Sequence, residues 1–124
     1  YAAAKHGLIG YMDSLRTEVS VRHKIHVTNV LPGSVATNVS RNALTADGSS
    51  RGKSDANIDG GDNPADLARE ILQAITDKTP ELIFAKGMEL EAAQQRQSNP
   101  DALFEMMNQM GAQIAERYEG GDDA

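Results

Sequence analysis

The chain has 124 residues, no cysteine and a formal net charge of −6. That length allows one ordinary domain at most. The acidic balance disfavours nucleic-acid binding, which needs a basic face, and the missing thiols exclude disulfides, thiolate catalysis and cysteine-ligated zinc. Apolar residues make up 40% and aromatics 4%, so the core is aliphatic and modest. No apolar run approaches the roughly 20 residues of a membrane span, and no basic amphipathic helix points to a membrane surface. The lack of cysteine fits a reducing compartment and favours the cytoplasm.

Residues 2–19 read as a helix, with Leu8, Met12, Leu15 and Val19 recurring on one face. Residues 25–31 are rich in Val and Ile and fit a short strand buried on both faces, as in a parallel sheet. Pro32-Gly33 ends it. Residues 47–63 hold Gly, Ser and Asp with almost no large apolar side chain, the composition of a long lid loop.

Asn63-Pro64 then starts a second helix, Asn63 as cap and Pro64 at the first helical position. Leu67, Ile71 and Ile75 mark its inner face, with Leu72 beside them. Thr79-Pro80 breaks it, and Glu81–Ala85 reads as a second strand. The remainder is helical, cut at Ser98-Asn99-Pro100. Leu103, Met106, Met107, Met110 and Ile114 form the apolar face of the last helix, and residues 119–124 read as a frayed acidic tail. Helices alternating with strands give an α/β fold with a parallel sheet. Two strands cannot complete such a sheet, so the first would keep an unpaired edge.

Chemistry concentrates in the first turn. Tyr1 and Lys5 are four apart and share a helical face. An ammonium one turn from a phenol favours the charged form, and a phenol so placed can exchange a proton with a carbinol oxygen. Other patterns are weaker. Asp55 to Asp66 superficially matches a calcium loop, but Pro64 falls inside it and no helix enters it. His6, His23 and His26 have no carboxylate at ligand-like spacing and read as core or surface histidines, so no metal is expected.

Tyr1-x-x-x-Lys5, a helix, a Val-rich strand and then Pro32-Gly33-x-Val35-x-Thr37 together resemble the second half of the short-chain dehydrogenase/reductase family. The stretch from Val39 to Gly52 is similar to the branch around dehydrogenase/reductase member 7. The resemblance implies the C-terminal part of a Rossmann-like, doubly wound parallel sheet, with residues 1–118 in one domain. It implies interconversion of an alcohol and a ketone or aldehyde with NADP or NAD. Tyr1 would be the acid/base, and Lys5 would hold the cofactor ribose and tune Tyr1. Pro32 and Gly33 would pass under the nicotinamide, and Val35 and Thr37 would hold its carboxamide. Ser34, Val39 and Leu44 would face substrate beneath the 47–63 lid. The family's Gly-rich phosphate loop and catalytic serine would precede Tyr1, so the chain taken alone is expected to be inactive. The first helix carries Tyr11, Met12 and Leu15 beyond its sheet-facing needs, and the resemblance, in which this helix packs against its mate, implies a homodimer or homotetramer. The alternative is a non-catalytic module of the same architecture that binds a protein partner.

Overall fold

The computed structural model describes residues 1–119, with side chains described to Glu116. The expected tail at 120–124 lies outside the described residues. Glu119, read above as the first tail residue, is instead the last residue of a helix. The chain divides into two compact units, Tyr1–Ala85 and the residues from Lys86 on.

The first unit opens with helix α1 (Ala2–His23), four residues longer at its C-terminus than its apolar stripe indicated. It stops because Lys24 turns into the left-handed region, at φ 54°, and donates its N–H to the Val19 carbonyl. Strand β1 (Asn29–Pro32) follows, then a one-turn helix α2 (Ala56–Asp59) inside the expected lid. Helix α3 (Pro64–Asp77) leads to strand β2 (Glu81–Phe84). Asn63 caps α3 as its sequence requires, its side chain accepting from the Ala65 N–H at 2.8 Å.

β1 and β2 pair in parallel, Asn29 opposite Glu81 and Pro32 opposite Phe84, with α3 as the crossover. The ladder runs past both ends. The Asn29 N–H donates to Pro80 O at 2.9 Å, and the Gly33 N–H donates to Phe84 O at 2.8 Å. Odd-numbered residues of β1 therefore turn their amides toward β2. Pro32 faces the other edge, where its missing N–H costs this ladder nothing. Among the described residues that other edge has no partner strand. The architecture is thus α/β with a small parallel sheet.

Two expectations need correction. The strand begins at Asn29, not at residue 25: Ile25 is half exposed, and the Val27 carbonyl is taken by a side chain. The Val27 carbonyl accepts from Arg16 Nε at 3.2 Å, and Thr28 turns its hydroxyl to Thr79 O at 2.8 Å. On α3, Ile75 and Leu72 face outward, 58% and 66% exposed, while Ala74 is buried. The inner row is Leu67, Ile71 and Ala74, at spacings of four and three. On α1, likewise, Leu8 is exposed, and Ile9, Met12, Leu15 and Val19 are only half-buried.

The second unit is a helical pair, α4 (Gly87–Ser98) and α5 (Pro100–Glu119). Asn99 again supplies a cap, its Oδ1 accepting from the Ala102 N–H at 3.3 Å. Leu103 is buried, and the Arg96 guanidinium lies over the Phe104 ring, 5.2 Å from its centroid. Met106 is half-buried, but Met107, Met110 and Ile114 are exposed, so the apolar face of α5 is covered only near its start. No helix among the described residues is long and apolar enough to cross a membrane.

Candidate functional site

The N-terminal turn of α1 and the exposed edge of β1 bound a groove of about 560 Å³. Tyr1 and Lys5 stand on it, Ile9 and Met12 line it from farther along α1, and Thr28 to Pro32 line it from the strand. That volume lies within the range of small-molecule sites, which pair apolar walls with a few polar groups.

Tyr1 is the residue just before α1, and its carbonyl accepts the Lys5 N–H at 3.0 Å. This closes the first helical turn and brings the two side chains together. Lys5 Nζ lies 5.4 Å from the centroid of the Tyr1 ring, a cation–π distance. Tyr1 is 96% exposed, so nothing in the described chain competes for its hydroxyl.

The Pro-Gly turn continues from the last residue of β1. Beyond it, residues 34–36 are fastened to the start of α3. The Asp62 N–H donates to Ser34 O and the Ala36 N–H donates to Asp62 O, each at 2.9 Å, which makes Val35 and Asp62 a parallel bridge. Gly33, Ser34 and Val35 are half-buried. Thr37 is exposed, and its hydroxyl accepts the Val39 N–H at 3.4 Å.

The candidate residues therefore fall into three groups. Tyr1, Lys5 and Pro32 share the groove. Gly33, Ser34, Val35 and Thr37 continue from its strand end without lining it. Val39 and Leu44 lie on the surface, 62% and 74% exposed, Leu44 in an antiparallel bridge with Ser50.

The segment read as a lid carries local structure of its own. The Asp47 carboxylate accepts from the Thr45 hydroxyl, from the Ser49 hydroxyl at 2.8 Å and from the Ser49 N–H at 3.0 Å. These bonds, the Thr45 hydroxyl foremost, hold its pKa down at about 2 against an ordinary 3.8. Asp55 caps α2 by accepting the Asn57 N–H at 2.9 Å, and Ser54 donates to Asp59. Two of the acidic residues in the calcium-like run thus serve backbone and hydroxyl groups. Among the described residues no cluster of three His, Cys, Asp or Glu side chains could hold a metal ion.

Sequence reasoning passed over three residues: Asp13, Arg16 and Asn29. They form a polar knot behind the groove, and Asn29, 8% exposed, also lines it. The available signal was a buried-strand Asn together with an Asp/Arg pair three apart on a helix. Each is common by itself, and only the fold joins them.

Residues 1–48 match the short chain dehydrogenase family. Over 107 residues the chain is 39% identical to dehydrogenase/reductase SDR family member 7B of Bos taurus, covering 86% of this chain and 33% of the bovine protein. It is 40% identical over 107 residues to dehydrogenase/reductase SDR family protein 7-like of Drosophila melanogaster, 86% of this chain and 32% of that one. The Danio rerio member 7B is 42% identical over 85 residues, 68% of this chain and 27% of the fish protein. The chain belongs to the short-chain dehydrogenase/reductase family. It spans about one third of the length of the curated relatives it matches. No solved structure matches it.

The donor set at the groove fits a nicotinamide dinucleotide. An ammonium and a phenol, both open to the groove, suit ribose hydroxyls and a reacting oxygen. The end of a parallel strand is where open α/β sheets bind ligands.

Proposed function

We propose that the full-length protein is a nicotinamide-dependent oxidoreductase that interconverts an alcohol and a ketone or aldehyde. One observation carries this reading: Tyr1 and Lys5 meet at the mouth of a groove whose wall is the strand ending at Pro32. The family match over residues 1–48 covers both. The frame is a doubly wound Rossmann-like sheet, to which β1 and β2 contribute two strands.

A bound NAD or NADP supplies the hydride acceptor or donor. The remaining work belongs to the chain. Tyr1 passes a proton between its hydroxyl and the carbinol oxygen of the substrate. Lys5 donates to the ribose hydroxyls and sets the charge around the Tyr1 oxygen. Pro32 and Gly33 form the floor under the nicotinamide, and Val35 and Thr37 offer the backbone and hydroxyl partners that an amide requires. Ser34, Val39 and Leu44 face substrate when residues 47–63 close over it. The helix face bearing Tyr11 pairs with a second copy.

The test is NAD(P)-dependent turnover of a panel of secondary alcohols and their ketones by the full-length protein, with Tyr1→Phe beside it. Expected is turnover that falls about 10²- to 10⁴-fold in the variant, the usual contribution of one acid/base group, with dinucleotide affinity retained. Undiminished turnover in Tyr1→Phe overturns the assignment. Binding of a protein partner without binding of either dinucleotide supports the non-catalytic alternative instead.

A further inference from the structure

Helix α1 carries Lys5 and begins one residue after Tyr1, but it has no fully buried residue. Its apolar contacts are half-buried and non-directional, so they leave the helix free to roll or tilt on the sheet. What fixes it is polar. Arg16 donates through Nη1 to Asp13 Oδ1 at 2.7 Å, through Nε to Val27 O at 3.2 Å and through Nη2 to Pro80 O at 2.8 Å. One guanidinium thus joins α1 to the segment entering β1 and to the residue before β2.

Asn29 doubles both ends of this link. Its Nδ2 donates to the same Asp13 Oδ1 at 3.0 Å, and its backbone N–H donates to the same Pro80 O at 2.9 Å. Charge-assisted bonds from a rigid fork are short and directional. Two shared acceptors therefore define one orientation of α1.

We infer that Asp13, Arg16 and Asn29 form a positioning clamp that sets where Tyr1 and Lys5 stand over the end of β1. The inference rests on reading that groove as the dinucleotide site. Leverage is the physical reason. Arg16 lies eleven residues beyond Lys5, about 16 Å along the helix axis at 1.5 Å per residue. A tilt of about 5° at the clamp shifts Lys5 by about 1.5 Å over that length, and misplacements near 1 Å cost on the order of 10²-fold in rate. Lysine cannot replace the arginine, because one ammonium does not span three acceptors on three segments.

The test titrates the full-length protein with NADH and NADPH, following nicotinamide fluorescence and fitting the dissociation constant and the number of sites separately. Lys5→Ala is the reference, and Arg22→Lys on the same helix is the control. Expected for Arg16→Lys is a tenfold or larger rise in the dissociation constant with the number of sites unchanged. Asp13→Asn, which keeps the acceptor oxygen but not the charge, gives a smaller rise. An unchanged dissociation constant with fewer sites means that Arg16 only supports folding and overturns the clamp. If Arg16→Lys does not fold, Asp13→Asn decides by the same criterion. Failure of the underlying reading looks different: the parent protein binds neither dinucleotide, or Lys5→Ala leaves the dissociation constant untouched.

Discussion

Gly61 lies directly against Ser34: a Cβ at Gly61 would stand 2.6 Å from the Ser34 carbonyl oxygen, and 2.8 Å from the Val35 nitrogen beyond it. The atoms it would meet are backbone, which cannot swing aside as a side-chain tip can. This close approach permits the Val35–Asp62 bridge, which fastens the segment after Pro32-Gly33 to the start of α3. A glycine near the end of the 47–63 segment is therefore a packing element beside residues 34–36. Gly61→Ala is expected to destabilise the full-length protein by about 1–3 kcal/mol, the usual range for forcing extra volume into a packed contact. Urea unfolding measures it. Gly48→Ala is not a neutral comparison, because Gly48 sits at φ 82°. Gly7→Ala carries no steric penalty, since nothing lies within 4 Å of a Cβ built there, and inside α1 it is expected to gain about 0.5–1 kcal/mol. Equal stability of Gly61→Ala and Gly7→Ala would show that residues 34–36 move freely.

The sequence made the capped and punctuated elements legible. Asn63-Pro64 and Asn99-Pro100 begin helices where a cap followed by proline must begin them, and both asparagines accept the expected amides. β2 stands one residue short of its expected end. Less legible was anything decided by a distant partner. Val27 has strand composition, but Arg16 takes its carbonyl, and β1 starts at Asn29. Leu72 and Ile75 continue an apolar pattern yet face outward, because the row that meets the sheet runs through Ala74. That Tyr1 and Lys5 share a helical face follows from their spacing, while their reading as a site comes from the resemblance of the wider pattern. The anchoring of residues 34–36 was not legible, because Ser34 and Ala36 bond to Asp62, far along the chain.

Asp47 supplies a pH-dependent contact whose sign is fixed by its surroundings. Its carboxylate accepts from Thr45 and twice from Ser49, and its pKa is lowered to about 2. A group with a depressed pKa in the folded chain contributes its full stabilisation above its unfolded value, near ~3.9, and loses it as pH falls through the folded value. The turn at 45–49 is therefore expected to stay ordered above about pH 4 and to loosen as pH approaches about 2. The side-chain carboxyl carbon of Asp47, followed by NMR in the full-length protein, should titrate near 2. In Thr45→Ala its midpoint should move up toward 3.8, since the Thr45 hydroxyl is the largest cause of the shift. A midpoint at the ordinary value in the parent would mean that these hydroxyls do not point at the carboxylate in solution.

The helical pair formed by α4 and α5 concentrates its packing at Leu103, which is 5% exposed. In the same unit Gln95 buries its Oε1 with no hydrogen-bond partner among the described residues. These two residues should respond in opposite directions. Leu103→Ala removes buried methyl groups and leaves a cavity, at a cost of about 2–5 kcal/mol. Gln95→Leu removes an unsatisfied buried acceptor at nearly constant volume, and relief of a desolvation penalty of about 1–3 kcal/mol makes it neutral or stabilising. Thermal unfolding of the full-length protein, read where helices dominate the signal, compares the two variants with the parent. A lower melting temperature for Gln95→Leu would show that the carbonyl has a partner after all. No loss in Leu103→Ala would show that the seam of this pair is not where its stability lies.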